Sequence, residues 1–180
     1  MAEYVPREQM LERLATMTRT FYDSVPFNRA LGTVMGPLED GVAHMTMPWS
    51  PQLVGDPVSG VLHGGAITAL LDACSGASVF MKLRWPRPIA TLDLRIDYLR
   101  PATAQKDVEA RAECYRITRH VAFVRAVAHQ GDIDDPVASC AGSFFIKRRR
   151  ERPDEQAENE ETAEKAEKTG QPEPSFEPAP

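Results

Sequence analysis

The stretch Gly60-Val-Leu-His-Gly-Gly-Ala-Ile-Thr-Ala-Leu-Leu-Asp72 constrains this chain more than any other. A His-Gly-Gly corner opens an apolar run with helical spacing, and one acid, Asp72, sits about two and a half turns inside it. A carboxylate buried in such a helix is costly to keep charged, so its presence points to chemistry. The helix is expected over about 64–83, with Trp85-Pro86-Arg87-Pro88 closing it. Ile67, Leu70, Leu71, Cys74, Ala77 and Met81 form a greasy stripe that should pack on a sheet. Gly65, Thr68, Ala69, Asp72, Ser75, Gly76 and Val79 form a second side of small residues plus one acid. Glycine in a helix interior costs about 1 kcal/mol relative to alanine. Gly76 therefore suggests that this side meets a partner segment closely and borders a narrow ligand slot.

The rest of the chain supplies the sheet. Pro6 can open a helix over 7–23, in which Met10, Leu11, Leu14, Met17 and Phe21 recur at helical spacing before Ser24-Val25-Pro26 stops it. Two short strands are expected near 30–38 and 41–47, with a turn at Glu39-Asp40-Gly41, and the Pro- and Gly-rich residues 48–61 read as a loop. Four more strands are expected at 89–99, 105–117, 120–130 and 136–147. In the first of these Leu92, Leu94, Ile96 and Tyr98 alternate with Thr91, Asp93, Arg95 and Asp97. In the next, Val108, Ala110, Ala112 and Cys114 alternate with Glu109, Arg111 and Glu113. Strands with such short gaps should pair as antiparallel neighbours. The order predicts an α+β domain, an antiparallel sheet with one long helix against its concave face. The organisation is an N-terminal amphipathic helix (1–24), the α+β domain (25–150) and an acidic tail (151–180).

Charge and cysteines limit the function classes. Residues 151–180 hold ten acids against three bases, with five prolines and one aromatic, and read as disordered. The formal net charge of −5 is therefore concentrated in the tail, and the nearly neutral remainder does not suggest a nucleic-acid binder. The basic run Lys147-Arg-Arg-Arg150 reads as a solvated strand end. Cys74, Cys114 and Cys140 are odd in number, widely spaced and set in apolar runs, which suits a reducing compartment such as the cytoplasm. Cys74 reads as core. His44, His120 and His129 have no spacing for a metal. Glu3, Arg7, Glu8, Glu12 and Arg13 argue against a signal peptide, and Thr68, Asp72, Ser75 and Ser78 interrupt the long helix too often for a membrane span.

The helix start carries its own chemistry. Its first N–H groups lack intrahelical partners and attract negative charge, and Gly64 and Gly65 have no side chain to block them. A carbonyl oxygen resting there would be stabilised as it becomes an oxyanion. Gly64 to Asp72 is eight residues, however, or about 12 Å along a helix. A donor and a base must reach one reacting carbon, within about 3 Å of it, so one helix cannot supply both. Two antiparallel copies about a two-fold axis can, which implies a homodimer with two sites.

His63-Gly64-Gly65 with Asp72 nine residues after the histidine resembles the hotdog-fold acyl-CoA thioesterases, specifically the phenylacetate-degradation thioesterase-like family. Pro26-Phe27-Asn28-Arg29, Gly60-Val61-Leu62 and Thr91-Leu-Asp-Leu-Arg-Ile-Asp-Tyr-Leu-Arg-Pro101 fit the same pattern, over roughly 25–147. The resemblance implies a hotdog fold acting without metal or cofactor on an acyl-CoA. Asp72 would serve as general base or nucleophile, the Gly65 or Gly64 amide as oxyanion hole, and His63 would orient the thioester or the loop. Thr91 would hold the attacking water near Asp72. Relatives commonly carry Asn in the loop before His-Gly-Gly, where this chain has Gly55-Asp56-Pro57. Asp56 would replace it as a polar contact, although an anion cannot donate to a carbonyl. Arg84 and Arg87, with Arg119 and the 147–150 run, are candidates for the CoA phosphates. A dimer of dimers is implied by the resemblance alone. Two function classes fit: thioester hydrolysis, and a non-catalytic acyl-CoA-binding dimer.

Overall fold

The computed structural model describes residues 6–83 and 87–147. The expectations for Arg84, Trp85-Pro86, the cations at 148–150 and the tail 151–180 lie outside the described residues.

Helix α1 spans Arg7–Ser24, and a second, six-residue helix α2, Pro26–Leu31, follows at once. By sequence Pro26 suits a helix stop. It sits instead at the first helical position, where its missing N–H costs nothing, and Gly32 at φ 69° ends the helix. Strand β1 accordingly starts at Val34, not near residue 30, and runs to Glu39 before β2, Val42–Met47. Gly41, at φ 75°, makes the turn between them. The expected loop 48–61 holds a 3-10 turn (Pro51–Leu53) and a two-stranded ribbon, β3 (Val54–Asp56) against β4 (Val61–Leu62). Helix α3 spans Gly64–Lys82, and the remaining strands are β5 (Ile89–Tyr98), β6 (Val108–Ile117), β7 (Val121–His129) and β8 (Ala138–Ile146).

The main sheet has the order β1-β2-β6-β7-β8-β5, and every pairing is antiparallel. It wraps α3, giving the hotdog arrangement. One pairing expectation fails: β5 bonds to β8, not to its sequence neighbour β6. Residues 99–107 are too long for a tight hairpin and contain Pro101, so this segment crosses from the sheet edge to its centre. β5 is left as an edge strand, with Leu92, Tyr98 and the following Leu99 more than half exposed.

The simple alternation read for β5 also fails. Its pairing with β8 shifts register between Thr91 and Asp93. This bulge brings Ile89 and Thr91 to the face that Leu94 and Ile96 turn toward the core, while Leu92 is 58% exposed. β6 keeps its alternation, with Val108, Ala110, Ala112 and Cys114 buried.

The greasy stripe of α3 is buried throughout. Small sheet residues let the helix approach closely: the Cys74 thiol donates to the Ala43 carbonyl at 3.3 Å and lies 3.6 Å from that of Ala110. Leu70 and Leu71 have no exposure, and burying each stabilises the fold by about 1.5–3 kcal/mol. By length and composition α3 could cross a bilayer, but most of it is enclosed in this core. The small side of α3 divides: Ser75 and Val79 are fully buried, while Ala69, Asp72 and Gly76 face a cavity. The segment that meets Gly76 is α1 of the same chain, not another copy: a Cβ there would lie 2.6 Å from the Tyr22 hydroxyl. Thr18 contacts the Met81 sulfur, and Phe21 and Tyr22 pack on Phe80. α1 thus shares the core with the elements that follow it.

Candidate active site

The β3–β4 ribbon positions the start of α3. The His63 N–H donates to the Leu53 carbonyl at 2.8 Å, and a Cβ on Gly55 would lie 2.7 Å from His63 Cα, so only glycine lets the ribbon pass there. His63 caps the helix: its Nδ1 accepts from the Gly65 N–H at 2.9 Å. An accepting Nδ1 carries no proton, so the ring proton is on Nε2. The Gly65 amide is thereby occupied, whereas the Gly64 N–H has no partner among the described residues.

Tyr98, at the end of β5, locks the same corner. Its hydroxyl donates to the Gly64 carbonyl at 2.7 Å and lies 2.7 Å from the Thr68 hydroxyl. A Cβ on Gly64 would come 3.2 Å from the Tyr98 ring, so the glycine allows this close seat. Alternation along β5 puts Tyr98 on the face of Leu94 and Ile96, and the bulge between Thr91 and Asp93 leaves that face unchanged; its contact with Gly64, 34 residues earlier, carries no signal in the local pattern.

Asp72 is half-buried, and its Oδ1 accepts from the Thr91 hydroxyl at 2.9 Å. Its Oδ2 has no partner among the described residues. Both residues border an open cavity of about 770 Å³ between α1, α2, one face of α3, the start of β5 and Phe144 of β8. The walls are mostly apolar or aromatic, with Arg87 among the few polar exceptions. Gly64 borders a different cleft, of about 460 Å³, with Tyr98, Arg100 and Pro101. One chain therefore brings Asp72, Thr91 and Arg87 together and keeps the glycine corner apart from them.

Asp56 joins neither group. Its carboxylate accepts from the Ser59 hydroxyl and from the Val58 N–H, which closes the ribbon's turn. Those bonds, the Ser59 hydroxyl first, hold its carboxyl below the usual range. The thiols are poor nucleophile candidates. Burial pushes Cys74 up to about 12 and Cys114 and Cys140 to about 11, so each is protonated at neutral pH. Burial, with the charges of Cys74 and Asp72 nearby, also raises Tyr22 far above the usual phenol range. Among the described residues no three His, Cys, Asp or Glu side chains are grouped to hold a metal ion.

The sequence profile of the Thioesterase superfamily matches residues 59–137. The medium/long-chain acyl-CoA thioesterase YigI of Salmonella typhimurium is 31% identical over 160 residues, covering 81% of this chain and 99% of the relative. YigI of Escherichia coli gives the same identity and coverage. A crystal structure of a Pseudomonas aeruginosa protein superposes with a TM-score of 0.68 at 38% identity, over 75% of this chain and 99% of that one. The E. coli PaaI protein of the phenylacetic acid degradation operon superposes at 0.69 with 18% identity, over 77% and 96%, a likeness of fold.

Proposed function

The chain belongs to the thioesterase superfamily, and on that premise we propose that it hydrolyses medium- to long-chain acyl-CoA thioesters to the free acid and CoA in a site shared by two copies. The observation that carries the reading is the Thr91–Asp72 hydrogen bond on the wall of an apolar cavity. A carboxylate with one oxygen fixed and the other free suits a general base. Asp72 takes a proton from water, and the water oxygen attacks the thioester carbon. The carbonyl electrons move onto oxygen and return as the C–S bond breaks. The CoA sulfur leaves as the thiol with the proton Asp72 had taken.

The oxyanion needs a donor that Asp72's own helix cannot supply. The partner subunit's Gly64 is assigned this task, and Gly65 is not, because its amide is already given to His63. An amide at a helix start has the positive end of the dipole behind it. His63 then acts as the cap that fixes the corner, and Thr91 as the residue that orients Asp72. The free edge of β5, with Leu92, Tyr98 and Leu99 exposed along it, suits pairing with its own copy about a two-fold axis. Such pairing runs the two α3 helices antiparallel.

A thiol-release assay over a panel of acyl-CoA chain lengths tests the proposal. Asp72→Asn should lower kcat by about 10²–10⁴, the usual worth of a positioned base, and Cys74→Ala should leave turnover in place. Tight acyl-CoA binding with no thiol release would instead identify a binding-only dimer.

A further inference from the structure

We infer that the slot between α1 and α3 holds the acyl chain, and that Tyr22, seated on Gly76, sets how long a chain it admits. The inference rests on the hydrolase reading above and adds to it a wall, α1, that lies outside the family match, which begins at residue 59.

The slot is built from two complementary helix faces. On α3, Ala69, Asp72, Ala73, Gly76 and Phe80 recur every three or four residues and line it. Four of the five are small or polar, so α3 leaves a trough. α1 roofs the trough with large side chains, of which Leu14 and Tyr22 are buried at 5% and 8% exposed. The trough starts at the carboxylate of Asp72 and ends at the aromatic group of Phe80 and Phe21, whose ring centres are 5.8 Å apart. From Asp72 to Phe80 it runs eight residues, or about 12 Å. An apolar slot open to the reacting group at one end suits the alkyl part of a thioester. It suits a polar metabolite poorly, because Asp72, Thr91 and Arg87 leave few polar groups to receive one.

Tyr22 interrupts this path. Its hydroxyl stands where a Gly76 side chain would be, and it has no hydrogen-bond partner among the described residues. That oxygen is not among the sealed, unpartnered polar atoms of the described residues, and Tyr22 lines the cavity, so its hydroxyl end meets whatever occupies the slot. It crosses the trough one turn beyond Asp72, with Ile89 and Phe144 at the same level. A chain longer than that turn must displace the ring or pass beside it. Met17, Phe21 and Phe27 are more than half exposed along the outer rim, an apolar margin for a chain that enters from solvent.

Chain-length profiles of kcat/KM for saturated acyl-CoA substrates test this. Tyr22→Ala should raise the ratio of long- to short-chain kcat/KM by about tenfold or more, the scale on which a hydrophobic pocket discriminates alkyl length. Met17→Trp alters only an exposed rim position, so it folds even if Tyr22→Ala does not. It should lower the same ratio. If wild type releases no thiol from any acyl-CoA, the hydrolase reading is wrong. If wild type is active and neither variant changes the profile, the slot does not hold the acyl chain.

Discussion

The seat of Tyr22 on Gly76 can be measured as a coupling energy. Gly76→Ala adds a Cβ that would lie 2.6 Å from the Tyr22 hydroxyl, nearer than atoms of this kind approach without movement. Alanine in a helix interior is favoured over glycine by about 1 kcal/mol. Overpacking a filled site costs about 1–3 kcal/mol. Gly76→Ala alone should therefore range from neutral to about 2 kcal/mol destabilising. Tyr22→Phe removes only the offending oxygen, which bonds nothing among the described residues, and should be close to neutral. In that background Gly76→Ala should stabilise by about the 1 kcal/mol of helix propensity. The double-mutant cycle thus expects a coupling of about 1–3 kcal/mol. Urea unfolding of the four proteins at one fixed protein concentration gives the four energies. Equal effects of Gly76→Ala in both backgrounds would show that Tyr22 of α1 does not sit on Gly76 of α3.

Other consequences follow from single groups. Thr91→Val keeps the shape but removes the donor to Asp72 and should lower kcat by about tenfold, the worth of a hydrogen bond to a charged group, while Thr91→Ser should retain most activity. His63→Ala removes the acceptor for the Gly65 N–H and should cost about 1 kcal/mol in thermal or urea unfolding, whereas His63→Asn should restore much of it. The thiols give a pH dependence. Their native pKa values are raised to about 11–12 by burial, so above the unfolded thiol value the unfolded state loses protons that the native state keeps. Stability should be unaffected by them below about pH 8.5, the unfolded value, and should fall as pH rises from there through the native values. A series of Tm measurements from pH 7 to 11 checks the sign, and a Cys74→Ala variant should fall less steeply.

What could be read from the sequence was what repeats locally. α3 was legible because Ile67, Leu70, Leu71, Cys74 and Ala77 keep a helical stripe, and β6 because Val108 to Cys114 alternates strictly. The pairing of Asp72 with Thr91 was anticipated only through the family resemblance. The local pattern argued against it, since alternation placed Thr91 opposite Leu94, and the bulge that reverses this has no signature in residue type. α2 was lost because Pro26 suits a stop and a helix start equally. The role of α1 was lost because periodicity shows that a helix has an apolar face without showing what covers it. Gly76 signalled a close neighbour, but the neighbour, Tyr22, is 54 residues earlier in the chain.

The shared site is tested most directly by subunit complementation. Asp72→Ala removes the base. Gly64→Pro removes the amide donor at a helix position that tolerates proline, and Gly64→Ala controls for the added carbon while keeping the N–H. Each of the first two variants alone should release almost no thiol from acyl-CoA. After co-refolding at equal amounts, half the dimers should be mixed and carry one intact site of two, so activity should return to about a quarter of wild type. A mixture as inactive as its parents, with mixed dimers present, would contradict a site built from Asp72 of one copy and Gly64 of the other.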